Sequence, residues 1–283
     1  MSNAQQFEYW NGEAGKRWAQ DDDTMARLLR PVTEALLDHA QLAGCGNALD
    51  VGCGGGSQSL MLAQRLGEDA QVTGVDISAP MLAVAQAKAD SLPAGCAALR
   101  FVQADASDHA FEPGSFDLVF SRFGVMFFDD PPAAFANIHG AMQPGANLAF
   151  CCWQGIKNNT WAWIPLQAAL QHLPPPEPMP PNAPGPFAFG DADRVTGILE
   201  GAGFNEISMQ PLLTRLRFSS APTLGEAVRD LARIGPLSRL LAQHPDAPTE
   251  RVFAAVETAL QSWFQEGALE LPVAIWLVTA TRP

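Results

Sequence analysis

Leu49-Asp50-Val51-Gly52-Cys53-Gly54-Gly55-Gly56-Ser57-Gln58-Ser59-Leu60 carries a short apolar run through a glycine turn into a helical pattern. Glycine tolerates positive φ and lets a backbone come close to a ligand, so a strand–turn–helix of this composition marks the place where an α/β fold holds a small molecule. A nicotinamide or flavin loop reads G-x-G-x-x-G/A, whereas the sixth position counted from Gly52 is Ser57. Asp50, just ahead of the loop, would repel a pyrophosphate and attract an ammonium group. The two features together favour S-adenosylmethionine over a dinucleotide, with Asp50 facing the ammonium of the methionine moiety and Gly52, Gly54 and Gly56 forming the cradle.

The next strands extend the pattern. Val72-Thr73-Gly74-Val75-Asp76-Ile77-Ser78 ends in a carboxylate twenty residues beyond Gly56, where Asp76 can accept hydrogen bonds from both ribose hydroxyls and Ile77 can pack on an adenine. Leu99-Arg100-Phe101-Val102-Gln103-Ala104-Asp105-Ala106-Ser107 ends in Asp105, which can accept the adenine amino group while the Ala106 N–H faces a ring nitrogen. From Asn47 to Trp153 short apolar runs alternate with helical patterns, the punctuation of βαβ units and a parallel sheet. Ser78, Asp130 and Asp191 read as helix N-caps, and Pro144-Gly145 as the end of a helix. Thr24 to Leu42 reads as a helix kinked at Pro31.

After Trp153 the rhythm breaks. A Trp/Leu stretch runs into Leu173–Phe187, too proline-rich for regular helix or central strand. The expected organisation is therefore an N-terminal helical cap over 1–46, a binding core over 47–153, a lid insertion with the proline-rich loop over 154–190, a core continuation over 191–222, a second helical insertion over 223–266 and a final strand over 267–283.

Composition bounds the partners. The chain has 283 residues, 47% of them hydrophobic and 17% charged, with a formal net charge of −13, enough apolar content for a sizeable core. That charge and the absence of a basic run disfavour nucleic acid and anionic membrane surfaces. The N-terminus lacks a leader pattern and no apolar stretch approaches the roughly 20 residues of a membrane helix, so a cytoplasmic location is expected. Five cysteines without CxxC or paired histidine spacing suggest neither disulfides nor a metal site, and Cys53 reads as a small residue filling a tight turn.

Asp50-x-Gly52-x-Gly54-x-Gly56, Val75-Asp76, Gln103-Ala104-Asp105-Ala106, Phe116-Asp117-Leu118-Val119 and Pro144-Gly145 together resemble the class I S-adenosylmethionine-dependent methyltransferases, in the small-molecule branch that includes ubiquinone and menaquinone C-methyltransferases. The likeness covers Asn47 to Trp153 well and the rest loosely. It implies a Rossmann-like α/β fold with a seven-stranded, mostly parallel sheet of order 3-2-1-4-5-7-6, the last strand antiparallel. It also implies methyl transfer to a small, largely apolar or aromatic acceptor, on oxygen or carbon. Ser121 would contact the methionine end and Phe123 would face the acceptor. Trp153 and Trp161, beside the proline-rich loop, are the further acceptor-side candidates. The helix that Pro144 closes ends Met142-Gln143-Pro144-Gly145 rather than in the Leu-Lys-Pro-Gly-Gly of quinone-methylating relatives, so the substrate does not carry over. Val125, Met126, Phe127 and Phe128 read as core. Tyr9, Trp10 and Trp18 either close over the cofactor or anchor the N-terminal arm. His39, His109 and His139 read as solvated, His172 and His244 lie in or near the insertions, and no residue is singled out as a general base. A nicotinamide-dependent oxidoreductase, or a protein that binds S-adenosylmethionine without methylating, is the alternative.

Overall fold

A strand buried on both faces has no polar face to show, and Asn47–Val51 (β1) is such a strand: Ala48, Leu49, Asp50 and Val51 are all buried. The computed structural model, which describes residues 3–283 apart from 177, 179 and 181, places it at the centre of the sheet. Gln71–Asp76 (β2) pairs with it in parallel, Ala48 opposite Val72 and Val51 opposite Val75, and Ala98–Gln103 (β3) continues outward from β2. On the other side Phe116–Arg122 (β4) and Met142–Trp153 (β5) follow, also parallel. Leu118, Phe120, Leu148 and Phe150 are completely enclosed there.

The helices of this part are Asn3–Asn11 (α1), Glu13–Gln20 (α2), Asp22–His39 (α3), Ser57–Leu66 (α4), Ala79–Ala89 (α5) and Pro131–Ala141 (α6). Later in the chain come Thr160–Ala169 (α7), Ala192–Gly201 (α8), Asn205–Ser219 (β6), Leu224–Leu231 (α9), Gly235–Gln243 (α10), Thr249–Leu260 (α11), Phe264–Gln265 (β7) and Ala268–Thr281 (β8). The sheet runs β3-β2-β1-β4-β5-β8-β6, with the two-residue β7 paired antiparallel to β8. That is the expected seven-strand order plus one short extra strand. Arg282 pairs with Gly145 and Ala146 while Ala274 accepts from the Gln154 N–H, so β8 runs opposite to β5, again as expected.

Three predicted caps hold. Ser78 Oγ accepts from the Met81 N–H at 3.4 Å, Asp130 Oδ1 from Ala133 at 3.1 Å, and Asp191 Oδ1 from Asp193 and Arg194. One boundary differs. α6 stops at Ala141, and Pro144-Gly145 lies inside β5, where the register jumps from Phe116–Met142 to Leu118–Asn147. A proline that cannot donate is tolerated at such a bulge, and Gly145, at φ +80°, gives its N–H to the Arg282 carbonyl at 2.8 Å. The Arg282 guanidinium in turn caps α6, donating to the carbonyls of His139, Gly140 and Met142. Pro31 sits within α3, which continues on either side of it.

The chain divides into two units. The first comprises Met1–Cys152, Ala183–Gln210 and Trp276–Pro283, the second Trp153–Asn182 and Pro211–Ile275. Core-forming aromatics of the first unit stack around Phe135, which meets Phe150 at 5.7 Å and Phe189 at 6.1 Å. In the second, Trp161 on α7 is 6% exposed, packed against Trp153 at 5.2 Å and stacked on Phe218 at 5.6 Å and 19°. Asn159, wholly buried ahead of α7, gives its Nδ2 to the carbonyls of Gln154 and Ala274 at 3.1 Å and accepts from the Ala274 N–H at 3.0 Å. Of the proline-rich loop read as a lid, Glu177, Met179 and Pro181 lie outside the described residues.

Candidate functional site

The chain leaves β1 at Val51 and folds over the end of β2, with the Gly52 and Cys53 N–H groups donating to the Val75 carbonyl at 2.8 and 3.1 Å. Gly52, Gly54 and Gly56 all have positive φ, at +68°, +54° and +78°. Their surroundings differ. A Cβ on Gly52 would lie 2.8 Å from Gly124 Cα, and one on Gly56 would lie 2.9 Å from Ala85 Cβ. Those two glycines are demanded by the protein's own packing. At Gly54 the space is open apart from the Met81 methyl at 3.4 Å, so a ligand can come up to the backbone there.

Asp76 ties this loop to the next turn. Its Oδ2 accepts from the Gly54 N–H and its Oδ1 from the Ser78 N–H, both at 2.8 Å. Burial raises its pKa, against the opposing pull of those N–H groups. Ile77 follows, its carbonyl receiving the side-chain amides of Asn11 at 2.8 Å and Gln103 at 3.2 Å. Asp50 lies beneath the loop rather than at its mouth. It has no exposed surface, accepts the Ser59 hydroxyl at 2.5 Å, and is pushed up to about 7 by burial, with the Ser59 bond and the Arg122 charge opposing.

Ser121 is also fully enclosed. It donates to the Val51 carbonyl at 2.8 Å and accepts from the Gly124 N–H at 3.3 Å, so it joins the ends of β1 and β4. Phe123 is 9% exposed at φ +62°, its N–H on the Cys151 carbonyl at 3.1 Å. Asp105 accepts the Ser107 N–H at 2.9 Å and its hydroxyl at 2.6 Å, and Ala106 is buried. The ends of β1, β2 and β4 thus gather Asp50, Gly52, Gly54, Gly56, Asp76, Ile77 and Ser121, and the end of β3 adds Asp105 and Ala106. Trp153 and Trp161 belong to the other unit.

Residues outside the sequence motifs complete the site. Asn3 Nδ2 donates to Ser107 Oγ at 2.9 Å, Gln6 Nε2 to the Phe127 carbonyl at 3.3 Å, Ser78 Oγ to the Trp10 carbonyl at 2.7 Å, and the Ala79 N–H to Asn11 Oδ1 at 3.0 Å. Trp10 packs edge-on to Phe127 and to Trp18, each at 5.9 Å. The N-terminal arm is therefore anchored over the strand ends, while Tyr9 stays 44% exposed. The amides at Asn3, Gln6 and Asn11 on this short helix gave no pattern to read.

Val125, Met126 and Phe128 are core, as expected, and Phe127 is half-buried against Trp10. Cys53 is 1% exposed under Gly74, where a Cβ would lie 2.9 Å from its Sγ, and burial raises its thiol well above the usual range. Two histidines are less solvated than expected: the Nε2 atoms of His39 and His139 are enclosed, and His139 lies edge-on to Phe204 at 5.0 Å, its pKa lowered by burial and then by Arg282. Among the described residues there is no group of side chains fit to hold a metal ion and no helix long and apolar enough to cross a membrane.

Residues 49–150 match a family model described as a methyltransferase domain. Nocamycin O-methyltransferase of Saccharothrix syringae is 31% identical over 211 residues, 72% of this chain and 75% of the relative. Demethylmenaquinone methyltransferase of Thermus thermophilus is 38% identical over 100 residues, 35% of this chain and 44% of the relative. Among solved structures, phosphoethanolamine N-methyltransferase 2 of Haemonchus contortus, in complex with S-adenosyl-L-methionine, aligns with a TM-score of 0.53 and 20% identity, over 89% of this chain and 52% of that one. This likeness is one of fold.

Proposed function

The chain belongs to the class I S-adenosylmethionine-dependent methyltransferases of the small-molecule branch, and from that premise we propose how its residues hold the donor and what it methylates. Bound S-adenosylmethionine supplies a methyl group already activated on a sulfonium sulfur. The bare backbone at Gly54 carries the reading: an open position, fixed by Asp76, at the point where a strand turns into a helix. Asp76 keeps free lone pairs on both carboxylate oxygens for the two ribose hydroxyls. Ile77 packs on the adenine, and Asp105 with the Ala106 N–H reads its edge. Ser121 and Asp50 support the methionine end from below, through the Val51 carbonyl and the first turn of α4.

The reaction is an in-line displacement, so alignment is the chain's principal contribution, on the order of 7–11 kcal/mol of barrier. The acceptor is a small, largely apolar or aromatic molecule methylated on oxygen or carbon. The O-methyltransferase relative and the net charge of −13 support that choice, the latter because it repels polyanions. Phe123 is assigned to face the acceptor, and Trp153 and Trp161 to support its binding through the aromatic cluster they build.

Titration calorimetry with S-adenosylmethionine and with NAD, together with methyl release over a panel of phenols, enolisable ketones and carboxylic acids, tests the reading. S-adenosylmethionine should bind and NAD should not, and Gly54→Val should abolish binding. Undiminished binding by a folded Gly54→Val variant would remove the cradle, and methyl release confined to cationic or polyanionic acceptors would remove the acceptor class.

A further inference from the structure

Gly55 differs from the glycines around it. Gly52, Gly54 and Gly56 have positive φ and Gly55 does not, so its backbone conformation would accept an alanine. What forbids a side chain there is a neighbour: a Cβ on Gly55 would fall on the carboxylate of Asp22, the first residue of α3. Acids at the start of a helix are ordinary, since they complement its dipole, and Asp23, with 76% of its side chain exposed, fits that role. Asp22 does not. Its side chain is 8% exposed and lies against the loop.

The Lys88 ammonium on α5 pairs with both acids, with Asp22 Oδ2 and with Asp23 Oδ1 at 2.9 Å. α5 thereby reaches the loop at three successive places. The Met81 methyl lies beside Gly54, Ala85 lies beside Gly56, and Lys88 holds Asp22 against Gly55. Spaced by four and three residues, these side chains share one face of the helix. A cleft of about 700 Å³, bordered by α4 and α5, has Asp22, Asp23 and Lys88 in its wall, and the Lys88 side chain is 25% exposed. Charge holds Asp22 in place there, and dissolved salt can screen it.

We propose that Asp22 and Lys88 are positioning residues for the donor. The pair presses the Gly55 backbone into place from the protein side while Asp76 holds the neighbouring Gly54 N–H, so the loop meets its ligand already ordered. Neither residue is assigned a contact with the donor. The proposal rests on the reading of this loop as the S-adenosylmethionine site, and it gives α3, which lies outside the matched residues 49–150, a share in donor affinity.

Calorimetry on the full chain with S-adenosylhomocysteine, a ligand without net charge, tests the pair free of the long-range field of an acidic protein. Asp22→Asn keeps the shape and breaks the ion pair, and it should weaken binding about 5- to 30-fold, the cost of ordering one backbone residue. Lys88→Met should give the same loss, and the two together no more than either alone. Lys88→Arg, which keeps the charge, and Asp23→Asn should both stay within about twofold of wild type. Raising NaCl from about 0.05 to 0.5 M should weaken wild-type binding and leave Asp22→Asn nearly unchanged, a difference that a merely structural aspartate would not produce. Gly55→Ala should cost about tenfold in wild type, and less than about twofold when added to Asp22→Ala, where the methyl group has room. Folded Asp22→Asn with the affinity and salt dependence of wild type overturns the proposal while leaving the reading of the loop intact, and additivity of Asp22→Asn with Lys88→Met overturns it as well. Wild type that binds neither S-adenosylmethionine nor S-adenosylhomocysteine overturns the reading of the loop and the proposal with it.

Discussion

Asp76 and Asp50 sit at the ends of neighbouring strands, Asp50 wholly buried and Asp76 half-buried, and their surroundings give them different tasks. Asp76 is held by two backbone N–H groups, so its removal takes a charged acceptor from the ribose and an anchor from the loop. Asp76→Ala should weaken S-adenosylmethionine binding by about 1.5–3 kcal/mol, measured by calorimetry on protein whose circular dichroism is unchanged. Asp50 is governed by burial, which lifts its pKa from the ordinary carboxylate range to about 7. The folded state therefore holds its proton to higher pH than the unfolded chain does, and between the ordinary carboxylate range and about pH 7 the group draws stability down as pH rises. Asp50→Asn removes this slope. Urea unfolding of both proteins across pH 4.5–7.5 should show the variant gaining on wild type as pH increases, and parallel curves would show that Asp50 does not titrate there. The glycines and the strand-end carboxylates were legible in the sequence because their spacing is fixed by a turn. Gln58, inside the quoted glycine loop, and Arg122, between Ser121 and Phe123, carried no spacing signal, since what singles them out is an enclosed atom without a partner among the described residues.

At the scale of elements, local chemistry was readable where one residue decides it. Ser78, Asp130 and Asp191 cap helices because each has a short acceptor two or three residues ahead of a free N–H. The α6–β5 boundary was misread because Pro144-Gly145 looks the same in a helix stop and in a strand bulge, and the difference is made by Arg282, 138 residues further along. The α7 segment shows the same limit. Its tryptophans suggested an acceptor surface, and Trp161 lies enclosed among Trp153, Phe218 and Gly235. Trp161→Ala should cost about 3–5 kcal/mol of stability by the cavity it leaves, read by urea denaturation. It should raise the acceptor's KM while S-adenosylmethionine affinity stays within about twofold. Normal acceptor kinetics in the folded variant would detach the cluster from acceptor binding. Asn159 offered no signal at all, yet Asn159→Ala would take the acceptor from the Ala274 N–H and one of two donors from its carbonyl, at a cost of about 1–3 kcal/mol read by urea denaturation.

For the molecule as a whole, the order β3-β2-β1-β4-β5-β8-β6 was legible through family resemblance, whereas the division into two units was not, because β5, β6 and β8 each contribute residues to both. A continuous apolar strand gives no internal mark where one unit takes over from the other. Ligand linkage offers a global test: S-adenosylmethionine at about 100 times its Kd should add about 2.7 kcal/mol to unfolding. Asp76→Ala at the same concentration should retain about 0.3–1.3 kcal/mol of that gain, and an undiminished shift in thermal unfolding would place the stabilising site elsewhere. The Gly54–Asp76 hydrogen bond has one more consequence. It forms within the chain itself, so the cradle is set before any ligand arrives, and the groups assigned to it address adenine, ribose and amino acid. All three survive methyl transfer unchanged. Such a site grips the spent donor about as firmly as the fresh one, so turnover should be throttled by accumulating S-adenosylhomocysteine and released by whatever reaction hydrolyses it.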